Sequence, residues 1–223
     1  MQLAKSILIY TLFFVTTFVG GNHQNASSAI NPKADYNEFK KTVSTGKGLL
    51  INHPAKDIRN YLFKLVDEDI YSYWNGTPWE FHGATRQPKT GSIACGYFVT
   101  NTLTDLGFKI DRVGLAEGIS GTMIRKLCVR IESFNSLSKL NSYLDGQPVN
   151  SVFIIGLDFH TGYVIKTATN SYFFHSTYLK SAGVVKEKIN ESAALTHNKF
   201  FMIGSLTANN NLLRKWVTGK AII

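Results

Sequence analysis

The feature that most constrains this chain is a change of hydrophobic period near residue 150. Before it, apolar residues recur at helical spacing; after it, they fall in short β-branched runs and alternating stretches. Ile58, Tyr61, Leu62 and Leu65 form an i, i+3, i+4, i+7 stripe, and such spacing predicts helices over 34–43 and 55–69. A loop rich in Gly, Pro and Thr follows over 73–91. The next helix begins near Cys95, with Phe98, Val99, Leu103 and Leu106 on one side and Gly107 as its stop. Helical spacing then fills 114–145 and ends at Asp145-Gly146-Gln147-Pro148. Five strands are predicted over 152–157, 160–165, 171–176, 184–189 and 200–206, followed by a last helix over 209–217. Helices segregated ahead of closely spaced strands specify an α+β fold with a mostly antiparallel sheet of five or six strands.

The chain has 223 residues, of which 44% are hydrophobic, so a single domain with a sizeable core is expected. Its net charge of +9 favours polyanionic surroundings. Lys and Arg are scattered rather than gathered into a tract, so no nucleic-acid partner is expected. The first residues read as an export signal: Lys5, an apolar run over 7–20, and the small-residue stretch Ala26-Ser27-Ser28-Ala29. The competing reading is a retained anchor, but the run is shorter than the ~20 residues a spanning helix needs. The expected organisation is therefore a signal peptide over 1–29 and one domain over 30–223, periplasmic or extracellular, without stable membrane insertion after signal removal.

Two cysteines are present. Cys128 shares a helical face with Ile124, Leu127 and Ile131, which reads as a buried, inert thiol. A Cys95–Cys128 bridge is the alternative, and it would leave no free nucleophile. Cys95 itself lies where a helix starts, with Ser92 as the expected N-cap. There the unpaired N–H groups and the helix dipole would lower the thiol pKa and offer an oxyanion site. Gly96 beside it would leave room for a substrate backbone. The bland reading of Cys95 is a small core residue.

Two histidines weigh on that choice. If 166–169 is a four-residue hairpin loop, Ile165 pairs with Asn170 and His160 stands opposite His175, so that one imidazole can hold the other's tautomer. Cys95, His160, His175 and Asp158 could alternatively ligate zinc, although no close-spaced chelating pair supports it. His53, His82 and His197 read as surface residues.

The loop Gly76-Thr77-Pro78-Trp79-Glu80-Phe81-His82-Gly83 and the segment Ala94-Cys95-Gly96-Tyr97-Phe98-Val99 precede His160-Thr161-Gly162 and Phe174-His175-Ser176-Thr177. In order and spacing these resemble the NlpC-type cell-wall peptidases, a papain-like family of thiol hydrolases, over residues 73–177. The resemblance implies Cys95 as nucleophile, His160 as general base and His175 as the orienting residue. It further implies an exported amidase or endopeptidase acting on peptidoglycan stem peptides, with no cofactor and no metal. Trp79 stands where the family carries an oxyanion-binding tyrosine, and with Gly96 and Asp158 it would line the cleft. Ala94 and Gly96 replace the usual flanking Asp and Ser, and the helical segment 111–147 would reshape the substrate cleft. The alternatives are the same machinery acting on another amide, ester or acyl-transfer substrate, or a cell-wall-binding module without catalysis.

Overall fold

A computed structural model describes residues 32–222. The proposed signal segment lies outside the described residues. Helix α1 (Pro32–Leu49) is followed by α2 (Ala55–Lys64), which runs through a π-helical turn, Leu65–Ile70, into α3 (Tyr71–Trp74). After the loop come α4 (Cys95–Asp105), α5 (Arg112–Glu117) and α6 (Ser120–Leu127). Strand β1 (Val129–Phe134) and helix α7 (Leu137–Asp145) precede β2 (Ser151–Gly156), β3 (Thr161–Lys166), β4 (Ser171–Thr177) and β5 (Gly183–Lys188). The short α8 (Ala193–Thr196), β6 (Phe201–Ser205) and α9 (Asn210–Val217) complete the chain. The strands form one six-stranded sheet in the order β1-β6-β2-β3-β4-β5, with each neighbouring pair antiparallel. The α+β class expected from the change of period is what the chain adopts.

Strand β1 corrects the helical reading of 114–145. It lies at the sheet edge with only partial burial, and Arg130 takes φ 52° where the register with β6 shifts. That bulge breaks the alternation by which a strand is recognised. Cys128 consequently sits just past α6 in extended backbone, φ −112° and ψ 164°, rather than on a helix face. It is still buried.

Both faces of the sheet are covered, which is why β2 is apolar at nearly every position. Val152 and Ile154 face the larger core, with Trp74, Phe98, Tyr163 and Phe174. Phe153 and Ile155 face the smaller one, with Leu140 and Leu144 of α7, Phe173 and Phe201. Helix α4 is held on the larger side by an edge-to-face contact of Phe98 with Phe174, ring centroids 4.9 Å apart. Tyr163 of β3 meets the Thr102 hydroxyl at 2.8 Å and donates to the Val99 carbonyl at 3.0 Å. At its C-terminal end, the Tyr36 hydroxyl donates to Asp105 at 2.9 Å and accepts from the Trp74 indole at 2.8 Å, while Arg86 reaches the same carboxyl at 3.4 Å. Just before α4, the Ser176 hydroxyl of β4 donates to the Ile93 carbonyl at 2.7 Å. Sheet and helix are thus pinned together along the whole length of α4. Among the described residues no helix is long and apolar enough to cross a membrane.

Candidate active site

Cys95 is the first residue of α4, and Ala94 occupies the N-cap position with no side chain able to cap. The expected cap, Ser92, instead donates its hydroxyl to Glu80 at 2.7 Å. No side-chain cap therefore covers the first-turn N–H groups beside the thiol. Burial pushes the Cys95 thiol above its ordinary pKa, against hydrogen bonds to the sulfur from the backbone of Thr161, Gly96 and Cys95 itself. Desolvation wins over the helix terminus, which is the reverse of the depressed thiol expected from the sequence. Cys128 is pushed up to about 12 by burial, as befits an inert core thiol. Both cysteines are free, so the bridge between them is not formed.

Gly96 has a different task from the one anticipated. A Cβ there would run into the Ala116 carbonyl of α5, so the missing side chain lets α5 cross close to α4 rather than admitting substrate backbone.

The hairpin register also differs from expectation, and the difference is instructive. The loop is 167–170 and the pairs run from Lys166↔Ser171 to Tyr163↔Phe174. Thr167 builds this turn: its hydroxyl donates to the Asn170 carbonyl at 3.0 Å and accepts from the Asn170 N–H at 3.1 Å. His175 is therefore opposite Gly162, where an added Cβ would meet the His175 Cβ at 2.7 Å. The register moves by an even number, so His160 stays on the same face as His175 and reaches it diagonally. His160 Nε2 and His175 Nδ1 are 2.7 Å apart.

His175 is 0% exposed and lies flat on Phe173, ring centroids 3.9 Å apart and 14° between planes. Its other nitrogen, Nε2, is 3.1 Å from Oε1 of Glu187 on β5. Sequence reasoning passed over Glu187, because a carboxyl between Lys186 and Lys188 reads as a solvated edge. The signal becomes legible only once β5 is paired with β4, which sets Glu187 opposite Phe173. Burial and the neighbouring His175 push the His160 imidazole down to about 3. Burial also lowers His175, while Glu187 pulls it back up. Near pH 7 both rings are neutral.

Cys95 and His160 line one cavity of about 450 Å³, with Ile119, Met123, Phe159 and Met202 as apolar walls and Arg125 and Asp158 as charged members. Among the described residues no hydrogen bond joins the thiol to either imidazole. A second cavity of about 560 Å³ shares Asp158, Phe159 and His160 and extends to Tyr178, Ala193 and His197. Phe159, on the β2–β3 turn between the two, is 99% exposed. Trp79 is not among the residues lining the Cys95 cavity. Its ring packs at 5.3 Å against Tyr178, on the wall of the second one. His53, His82 and His197 are exposed, as read from the sequence. Among the described residues no three His, Cys, Asp or Glu side chains converge to hold a metal ion, so the zinc grouping is not assembled.

No family model, no curated protein and no solved structure matches this chain.

Proposed function

We propose that this chain is an exported thiol amidohydrolase, papain-like in its machinery and related in mechanism to the NlpC-type peptidases. The observation that carries the reading is the juxtaposition of Cys95, at the uncapped start of α4, with His160 in one cavity, His160 being held from behind by His175. With Nε2 of His160 engaged by His175, Nδ1 is the nitrogen left to serve the thiol.

The free pair is a neutral thiol and a neutral imidazole, so activation belongs to the encounter with substrate. The Sγ proton passes to His160 Nδ1 as sulfur bonds to the amide carbon, and the first-turn N–H groups stabilise the oxygen charge. His160 then gives that proton to the leaving nitrogen as the C–N bond breaks. Water attacks the thioester, the C–S bond breaks, and a carboxylic acid and the thiol are released.

For the substrate, Arg125 and the basic composition favour an anionic peptide such as a murein stem. A second reading is favoured by the apolar rim: Ile119 is 73% exposed beside Met202 and Phe159, a surface suited to an amide, ester or acyl-transfer substrate with an apolar group. The test is to incubate wild type and Cys95→Ala with purified murein, and separately with acyl-peptide amides and esters, and to identify products by mass spectrometry. Fragments released by wild type alone support hydrolysis and choose between the substrates. No cysteine-dependent product from any of them would leave the binding-module reading in its place.

A further inference from the structure

The hydrogen bonds behind His160 do not end at His175. They continue to β5, where Glu187 stands with its side chain 32% exposed, next to a histidine that has no exposure. An imidazole that is neutral carries one proton and one lone pair, so each bond along such a chain dictates the next.

We infer that Glu187 is a positioning residue that sets the tautomer of both imidazoles. A carboxylate accepts and cannot donate, so Glu187 Oε1 requires the proton of His175 on Nε2, across 3.1 Å. The lone pair of His175 is then on Nδ1, and at 2.7 Å it must accept from His160 Nε2–H. His160 is left with its lone pair on Nδ1, the nitrogen not spent on His175. With the opposite tautomers, both protons would move one position and the nitrogen left to His160 would be a donor, unable to take a proton from a thiol. Phe173 supports the arrangement: its ring lies against His175 and stops the imidazole from flipping to exchange its nitrogens. Glu187 is directly opposite Phe173, so the same register that stacks the ring delivers the carboxyl. The other titratable groups around the pair, Asp158 and His197, lie across the second cavity from His160.

The functional consequence rests on the amidohydrolase reading, whereas the tautomers can be read without any turnover. The experiment is a two-bond ¹H–¹⁵N correlation spectrum of the histidine rings in the ¹⁵N-labelled full chain near neutral pH, with the rings assigned by single substitutions. The wild type should show both His160 and His175 protonated on Nε2 alone. Either ring protonated on Nδ1, or doubly protonated, overturns the inference. Glu187→Ala should mix the tautomers of both rings and, where amide turnover is detected, lower kcat on the order of tenfold with KM unchanged. Glu187→Gln, whose amide oxygen can accept the same proton, should restore the wild-type tautomers. Rings in Glu187→Ala identical to wild type would also overturn it. Should no substrate be turned over, the spectra still decide the role of Glu187, so this inference and the hydrolase reading fail independently.

Discussion

The two ends of α4 are treated in opposite ways. At the C-terminal end, Asp105 is buried among Tyr36, Trp74 and Arg86, and each polar group there meets another. At the N-terminal end, the cap is an alanine and the half-buried thiol opens on a cavity. One end spends its polar groups on holding the helix in place; the other leaves backbone donors beside a thiol. The contrast teaches that a reactive terminus needs a distant anchor, because the groups that would stabilise it locally are the ones it must keep free.

The hardest way to break this comparison is to remove the base. His160→Ala should cost amide turnover on the order of 10²–10⁴-fold while leaving the urea midpoint near wild type, since the ring contributes little to the core. Initial rates and urea melts on the same preparation check it, and full activity in this variant would sink the mechanism. His175→Asn should fall between the two, because an amide can still serve His160 with one hydrogen bond.

The mirror experiment acts on the anchor. Asp105→Ala leaves the buried Tyr36 hydroxyl without its acceptor and should lower stability by about 1–3 kcal/mol. Turnover per folded molecule should hold. A loss of activity without a loss of stability would mean that the two ends are not separable.

The pH dependence sharpens the contrast further. Because burial raises the Cys95 thiol, alkylation by iodoacetamide should climb as pH passes ~8.5 and show no plateau at lower pH. A low-pH plateau would reveal a thiolate already formed. Cys128 should react only on unfolding. Its raised folded pKa also has a stability consequence: the unfolded chain releases this proton first, from ~8.5 upward. The contribution is therefore complete below that pH and is lost as pH rises toward about 12. Urea melts across the alkaline range in wild type and Cys128→Ala separate this from the general alkaline loss.

The smallest effect is expected at Trp79. It packs on Tyr178 outside the Cys95 cavity, so Trp79→Phe should change turnover by less than about twofold. A hundredfold loss would restore the oxyanion role that its position in the sequence suggested.

The α+β class and the segment that presents Cys95 were legible because they depend on period and residue type, which are local. His160 and His175 were legible for a subtler reason. The turn begins one residue later than expected, since Thr167 caps it, but an even change of register keeps both side chains on one face. The cap at Ala94 and the task of Gly96 were misread because each depends on a neighbour distant in sequence: Glu80 takes Ser92, and Ala116 fills the space at Gly96. The thiol pKa was misread for the same reason, since burial is a tertiary quantity. Glu187 and β1 were hidden by charge, Glu187 between two lysines and β1 behind Arg130 and Glu132 on an edge.

The alternation of β4 has a consequence for how such a chain can change over generations. Ser176 points to one face and ties down Ile93, two residues before the thiol; His175 points to the other and holds His160. Adjacent residues on one strand therefore register both halves of the site. A single residue inserted or deleted between Phe173 and Ser176 would exchange the two faces, sending an imidazole toward Ile93 and a hydroxyl toward His160. Length variation should be tolerated in the 167–170 loop, at the far end of the hairpin, and purged within β4. The strand works as a ruler, and a ruler cannot be lengthened by one division without misplacing every mark beyond it.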